Sequence, residues 1–253
     1  FETILSTRGG SGNTKYFGSI SDKQESGIML RTGARRTSGR INLDQTIGEN
    51  FNLSGGVGVT RNFLQRGVSN NNNAGISPTY DLGYIPHVIN FQRNPDGSYP
   101  VNPFYAGGTS VSNPFANAEY IKNNEEVWRQ TGNVRAAWQA LSTAEHNVNI
   151  SFLGGLDRFQ QEGLAYSPNF LQFEPNDGQA GTSATSTSQV FQMNQSLNVI
   201  WTYTPATWWI GNLTTSFGAT SEDQTQRTFR TLGRGLIPTV GLSSGAAVTT
   251  VED

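Results

Sequence analysis

Apolar and polar residues alternate with a period of two along much of the chain. The clearest run is 51–63, whose odd positions carry the large apolar side chains Phe51, Leu53, Val57, Val59 and Phe63. The even positions of this run hold only Asn, Ser, Gly and Thr. Successive side chains of a β-strand point to opposite faces, so the run predicts a strand with one apolar face. The preceding run, which ends at Ile47, has the same pattern, and the polar tripeptide 48–50 predicts a hairpin between the two.

The same alternation recurs several times and predicts an all-β antiparallel meander of about nine strands. Three further runs are strong, at 128–140, 147–159 and 189–203. Weaker runs lie at 1–8, 14–24, 209–219 and 227–236. No amphipathic helix of useful length interrupts them.

The predicted connections differ in length in a regular way. Short turns are expected at 9–13, 48–50, 142–146 and 205–207, and they alternate with longer connections at 25–35, 64–124 and 161–188. Short turns at one end of a meander and long loops at the other are typical of outer-membrane barrels, whose periplasmic turns are short and whose external loops are long. We therefore predict that residues 1–253 form part of a large transmembrane β-barrel, with long external loops at about 64–124 and 161–188.

The composition agrees with this prediction and excludes several other classes. Hydrophobic residues make up 35% of the chain and charged residues 14%. No stretch approaches the roughly 20 apolar residues of a spanning helix. The net charge of −2 provides no basic surface for nucleic acid, and the absence of cysteine excludes disulfides and thiolate metal sites.

Aromatic residues collect near two of the predicted short turns. These residues are Phe51, Trp201, Tyr203, Trp208 and Trp209. Tyr and Trp favour the membrane interface because the ring lies among acyl chains while its polar group reaches water. The pattern predicts a membrane-interface girdle; the alternative is that the same rings fill the core of a soluble sheet.

Several segments resemble SusC/RagA-like TonB-dependent outer-membrane transporters. The segment RRTSGRINLDQTIGENFNLSGGVGVTRN (35–62) is similar to the first barrel hairpins of that family, with an R-x-N-x-D pattern formed by Arg40, Asn42 and Asp44. Later segments also resemble the family in the same order, among them NPDGSYPVNPF (94–104), NNEEVWRQTGNVRAAWQ (123–139) and LNVIWTYTP (197–205).

The resemblance implies a barrel of about 22 strands with a plugged lumen, a size associated with outer-membrane transporters. It also implies energised import of a bulky nutrient, such as an oligosaccharide or a peptide, across the outer membrane of a Gram-negative bacterium. The implied partners are outer-membrane lipid, the TonB complex and a SusD-like surface lipoprotein that forms a lid. This chain is expected to supply barrel wall and external loops only, without the plug domain, the signal peptide, the TonB-contacting segment or the terminal strand.

Two groups of residues are candidates for contact with a transported molecule. Arg40, Asn42 and Asp44 are expected on the lumen face, where they either line the transport path or form hydrogen bonds with the plug and neighbouring strands. The loop aromatics are the candidate substrate contacts, since rings on loops suit a sugar face: Tyr80, Tyr84, Phe91, Tyr99 and Tyr105. The alternative is that these rings pack the long loop against the barrel rim.

Nothing in the sequence predicts catalysis. The two histidines, His87 and His146, have no carboxylate at ligand spacing, so no metal site, cofactor or catalytic residue is predicted. The acidic pairs Glu125–Glu126 and Glu174/Asp177 are interpreted as solvated loop charge. The alternative function is a soluble, secreted β-sandwich that binds glycans through loop Tyr and Trp residues, and a third possibility is a small closed structural barrel.

Overall fold

The fold is a single antiparallel β-sheet. The computed structural model describes residues 1–68, 75–85, 87–107, 111–206, 211–237 and 246–252. Within these residues, nine strands follow one another in chain order across the sheet, and each pairs antiparallel with the next. The prediction of an all-β antiparallel meander is confirmed.

The strands are β1 (Glu2–Ser11), β2 (Thr14–Ser26), β3 (Gly33–Ile47), β4 (Phe51–Gln65), β5 (Lys122–Ser142), β6 (His146–Ser167), β7 (Thr182–Tyr203), β8 (Leu213–Leu236) and β9 (Ala246–Glu252). The connection between β4 and β5 contains two short helices, α1 (Pro78–Asp81) and α2 (Pro114–Tyr120). A 3₁₀ turn (Glu174–Asp177) lies between β6 and β7.

The connections alternate between the two ends of the sheet. One end, called the turn end below, carries 12–13, 48–50, 143–145 and 204–212. The opposite end, called the loop end, carries 27–32, 66–121, 168–181 and 237–245. The predicted three-residue turn at 205–207 is wrong, because β8 begins only at Leu213.

The strands at the loop end are longer than the sequence predicted. Pairing of β6 with β7 continues from Gln161–Ser188 to Ser167–Thr182, so the loop predicted at 161–188 contracts to 168–181. In this part β7 carries only Ser, Thr and Ala on its two faces, so its alternation disappears although the backbone pairing continues.

In the part of the chain that the structure describes, the nine strands agree in number with the prediction, but two of the predicted strands do not match. The run 227–236 and the part of the run 209–219 from Leu213 onward belong to one strand, β8, whose hydrophilic middle pairs with β7 from Ser221 to Gln226. The ninth strand is β9, which the sequence analysis missed.

Direct cross-strand partners place the large apolar side chains on one face of the sheet, called the apolar face. One row crosses six strands near the turn end: Ile47, Phe51, Trp138, Ile150, Val199 and Phe217. The next row contains Leu53, Ala136, Phe152 and Leu197. On β7 the apolar positions run from Tyr203 to Phe191 and then give way to Gln189 and Thr187. The apolar band thus covers the half of the sheet nearest the turn end.

In one row of the opposite, polar face, glycines alternate with asparagines across the strands. Asn42, Gly56, Asn133, Gly155 and Asn194 are successive partners in one row. A Cβ added to Gly56 would lie 2.5 Å from Asn42 Oδ1 and 2.9 Å from Asn133 Oδ1. Each carboxamide therefore lies over the backbone of a neighbouring glycine, in space that a larger residue would fill.

Strands β4 and β5 are joined by a long connection, so no short turn fixes which of their residues pair. Their register can be tested by cross-linking. Asn52 and Ala137 are direct partners on the polar face, so the Asn52→Cys/Ala137→Cys variant should form a disulfide on mild oxidation. The chain has no cysteine of its own to interfere.

The matched control is Asn52→Cys/Arg135→Cys, which moves one cysteine two residues along the same face. We expect little cross-linking in this variant. Cross-linking is measured as the fraction of cysteine thiols that a thiol reagent no longer modifies after oxidation. Faster cross-linking of the control than of the test pair would mean that the register is wrong.

Candidate functional site

The connections at the loop end pack together into one small structured body. Ala116 of α2 is buried against Leu171 and Phe173 of the 168–181 connection. The half-buried residues around them are Ile76, Tyr99, Tyr105, Tyr120 and Ile121. An ion pair between Arg31 Nη2 and Glu119 Oε1, at 2.7 Å, joins the 27–32 connection to α2. Three connections that are distant in sequence thus form the surface above this end of the sheet.

Buried amide side chains hold this body in place. Asn113 caps α2 by accepting from the Phe115 and Ala116 amides at 2.9 and 3.1 Å. Its own amide donates to the carbonyls of Phe91 and Pro100 at 3.0 and 2.7 Å. One asparagine therefore satisfies two exposed helix donors and fixes two extended segments against the helix.

A cavity of about 270 Å³ opens beside this helix, and aromatic rings form much of its wall. Tyr120 meets Tyr99 and Phe170 edge to face, with ring centroids 5.8 and 5.0 Å apart. We call this space the aromatic cavity. Ser98, Asn113 and Gln172 also line it, and none of its described lining residues is charged. Such a wall suits an uncharged ligand that combines an apolar face with hydrogen-bonding groups.

The five predicted loop aromatics do not form one site. Tyr99 lines the aromatic cavity, and Tyr105 is half-buried against the Ala116 cluster. Tyr80 and Tyr84 stack on each other away from the cavity, at 4.6 Å and 26°. Phe91 is only 2% exposed and packs inside the loop, so it offers no surface to a ligand.

Tyr120 and Phe170, which complete the cavity, were not among the predicted residues. They lie in different connections, and only the packing of 168–181 on α2 brings them together. No local pattern in the sequence shows that contact.

A second buried polar cluster lies next to the cavity, around Asn117. The Nδ2 atom of Asn117 lies 2.8 Å from Ser112 Oγ, 3.2 Å from Ile76 O, and 3.4 Å from both Gly75 O and Asp81 Oδ2. Asp81 is completely buried, and its Oδ1 atom has no hydrogen-bond partner. Burial raises the pKa of Asp81 to about 7, against the lowering effect of the Asn117 hydrogen bond.

Two of the predicted solvated acids are in fact buried, so that prediction is wrong for them. Glu125 is 8% exposed, forms an ion pair with Arg66 and accepts from Gln161 Nε2 at 2.6 Å. Glu174 is 5% exposed and accepts from the Gly181 amide at 2.8 Å. Both carboxylates fix the ends of loops, where unpaired backbone and side-chain donors need acceptors.

The predicted lumen residues Arg40, Asn42 and Asp44 all lie on the polar face of β3. Arg40 Nε donates to Asn42 Oδ1 at 3.1 Å. Elsewhere on this face Arg129 forms an ion pair with Asp157. The polar face therefore carries charged and amide side chains that bind one another, within β3 and between β5 and β6.

The predicted interface aromatics that the structure describes lie on the apolar face at the turn end. His146 stacks on Tyr203 and Trp201, with centroids 4.9 and 5.9 Å apart, and Trp201 Nε1 donates to His146 Nδ1 at 3.3 Å. Phe51 is the cross-strand partner of Trp138. The two remaining predicted residues, Trp208 and Trp209, lie outside the described residues.

No catalytic centre is apparent among the side chains that the structure describes. In that part of the chain, no three His, Cys, Asp or Glu residues are grouped as metal ligands. None of the helices in the described ranges has the length and hydropathy needed to cross a membrane.

Comparison with known proteins gives structural matches only. No protein-family model and no curated protein matches the sequence. The RagAB peptide importer in its closed-closed state matches with a TM-score of 0.65 at 16% identity, over 99% of this chain. Its open-open state and a further structure of the RagAB peptide transporter match with TM-scores of 0.63, at 16% and 15% identity. This chain spans 28% of the length of each of these chains, and it has the fold of that segment.

Proposed function

We propose that this chain is a barrel-wall and external-loop segment of a TonB-dependent importer of bulky nutrients, such as oligosaccharides or peptides, in the outer membrane of a Gram-negative bacterium. The observation that carries the proposal is the combination of a nine-strand meander, an apolar band near the turn end and a folded loop body at the other end. Its fold similarity to chains of a peptide importer over 99% of its length supports the same function.

In the proposed orientation the apolar face contacts lipid and the polar face lines the lumen. Many large side chains of the apolar band are exposed, including Phe217 at 66% and Val57 at 61%. Exposed apolar area of this extent marks a surface that contacts another apolar phase. Arg40, Asn42 and Asp44 would then face the lumen, and the stacked rings of His146, Trp201 and Tyr203 would lie at the periplasmic interface.

Strand length supports this orientation. Strands β5 to β8 contain 21, 22, 22 and 24 residues. A tilted strand needs only about 9–11 residues to cross the hydrocarbon layer. The apolar band occupies the half near the turn end, so the polar half of each strand would extend the wall above the external membrane surface and support the loops.

The aromatic cavity is the proposed contact for the transported molecule. It opens at the loop end, where an incoming nutrient would arrive, and its rings and neutral amides fit an uncharged sugar or an uncharged peptide side chain. Tyr99 and Phe170 are the ring contacts that we assign to it, and Phe170 is 64% exposed.

The proposed partners are lipid, the TonB complex and a surface lipoprotein. Contact with the TonB complex would be made by parts of the full-length protein other than this segment. A SusD-like lipoprotein is proposed as a lid on the loop end, because segments of the sequence resemble SusC/RagA-like transporters and the matching structures are of the RagAB complex. No catalytic role is proposed.

The assignment of the two faces predicts opposite effects of one substitution at adjacent positions of β7. Leu197→Arg places a charge on the apolar face, whereas Asn198→Arg places it on the polar face. In a bilayer the first change should destabilise the protein by about 2–4 kcal/mol, and the second by less than about 1 kcal/mol.

The measurement is the unfolding free energy of the full-length protein in lipid vesicles. Equal effects of the two substitutions, or a larger effect at Asn198, would exclude the proposed orientation and favour a soluble sheet.

The import function predicts a selective effect of the cavity rings. In cells that depend on this protein for uptake of a labelled oligosaccharide or peptide pool, Tyr99→Ala should reduce the initial uptake rate about two- to tenfold, because one aromatic contact contributes about 0.5–1.5 kcal/mol. The control Phe104→Ala removes a ring that is 67% exposed in the same connection but does not line the cavity, and it should leave uptake unchanged.

Collapse of the proton-motive force should stop uptake in both variants and in the unchanged protein. Uptake that continues without the proton-motive force would contradict the import proposal, even if the cavity binds the nutrient.

A further inference from the structure

The buried cluster around Asn117 contains more hydrogen-bond acceptors than donors. The Nδ2 group of Asn117 carries two hydrogens, yet four oxygens lie within 3.4 Å of it. Ser112 adds two donors, its hydroxyl and its backbone amide, and both donate to Gly75 O, at 3.0 and 3.4 Å. The carboxylate of Asp81 is left with a single long contact on Oδ2 and with none on Oδ1.

The cluster also lacks positive charge. Asp81 is 0% exposed, and among the described residues no lysine or arginine forms an ion pair with it. Two other acids close to the loop body do have such partners: Glu119 pairs with Arg31, and Glu125 pairs with Arg66. A buried carboxylate without a compensating charge is strongly unfavourable, so this one requires either a proton or a cation.

We propose that this cluster is a binding site for a hard divalent cation, namely Ca²⁺. The ligands are six oxygens: both carboxylate oxygens of Asp81, the carbonyls of Gly75 and Ile76, the hydroxyl of Ser112, and the side-chain oxygen of Asn117. The last ligand requires that the carboxamide of Asn117 turn over, which exchanges two atoms of nearly equal size. Six oxygens with at least one carboxylate fall within the range of ligands that Ca²⁺ accepts.

The four distances from Asn117 Nδ2 are compatible with a coordination shell in which an oxygen takes the position of that nitrogen. Two oxygens that each lie about 2.4 Å from Ca²⁺, at roughly 75–90° to one another, are about 2.9–3.4 Å apart. The amide position of Asn117 lies 2.8–3.4 Å from its four oxygen neighbours. An oxygen at that position would therefore already be at the distance expected between neighbouring ligands.

Binding at this site would close the long connection onto itself. The ligands come from residues 75–76, from the end of α1 and from the segment 112–117, and Asn117 also lines the aromatic cavity. An ion would therefore order the wall of that cavity. A single carboxylate predicts weak binding, with a Kd of about 10⁻⁴–10⁻³ M, which is the range of extracellular Ca²⁺ modules. That such weak binding is sufficient rests on the proposed function, which places the loops outside the cell. The choice of ligands does not depend on it.

The test uses the full-length protein in detergent, stripped with EDTA and then titrated with CaCl₂ by calorimetry. The variant Asp81→Asn keeps the size of the side chain and removes its charge. The matched control is Asp96→Asn in the same connection, where the carboxylate is exposed and accepts from Ser98 N at 2.9 Å. The unchanged protein and the control should bind one more Ca²⁺ per chain than Asp81→Asn does. Ser112→Ala should weaken that binding at least threefold.

Hydrogen exchange provides a second measurement that does not depend on other Ca²⁺ sites in the protein. Ca²⁺ should slow exchange in residues 75–85 and 111–121 at least tenfold in the unchanged protein and in Asp96→Asn, but not in Asp81→Asn. The proposal is overturned if Ca²⁺ leaves exchange in the unchanged protein as it was, or if Asp81→Asn responds like the control. Failure of nutrient uptake with normal Ca²⁺ binding would instead contradict the proposed function alone.

Discussion

Complete pairing of backbone N–H and C=O groups is the constraint on which the rest of this structure depends. Each strand from β2 to β8 has a partner on both sides, whereas β1 and β9 have a described neighbour on one side only. In hydrocarbon, each unpaired group costs several kcal/mol, so an open edge is not stable there. A membrane position for this sheet therefore requires further strands on both sides. The share of the matching chains that this segment spans, 28%, is consistent with that requirement.

The two halves of the long strands differ in composition and in what they contact. Near the turn end, apolar side chains alternate with asparagine, serine and glycine, so one wall can meet lipid and water at once. Towards the loop end β7 has no large apolar residue on either face from 182 to 189, and the strands act as a rigid support for the loop body. Buried amides of Asn102, Asn113 and Asn117 hold that body together, where a larger domain would use an apolar core.

The sequence predicts those parts of the fold in which side chains differ between the two faces. The run 51–63 alternates clearly, and β4 forms almost where it was predicted. Alternation does not predict the loop-end part of β7, where Ser, Thr and Ala occupy both faces, or the middle of β8, where every residue from 221 to 226 is polar. The end of β6 is in the sheet because it pairs with that part of β7. Strands of this kind are specified by the neighbour with which they pair, which a local pattern does not contain.

The candidate site was predictable only in part, for a related reason. Tyr99 was identified as a loop aromatic, but its partners Tyr120 and Phe170 come from a helix and from another connection. Glu125 and Glu174 were interpreted as solvated because acids are rarely buried, and their partners lie far away in sequence or in the backbone. Contacts between loops depend on tertiary packing. Residue types therefore indicate what kind of ligand such a site could bind, but they do not show which residues form it.

Contact between lipid and one face of this sheet is tested most directly by accessibility along β7. Single cysteines placed in turn from Phe191 to Tyr203, and at Thr187 and Gln189, would carry a fluorescent label in the full-length protein in vesicles. We expect a lipid-phase quencher to act on odd positions from 191 to 203, not on even positions, and not at 187 or 189. Uniform quenching, or quenching only by an aqueous reagent at every position, would contradict a membrane-spanning wall.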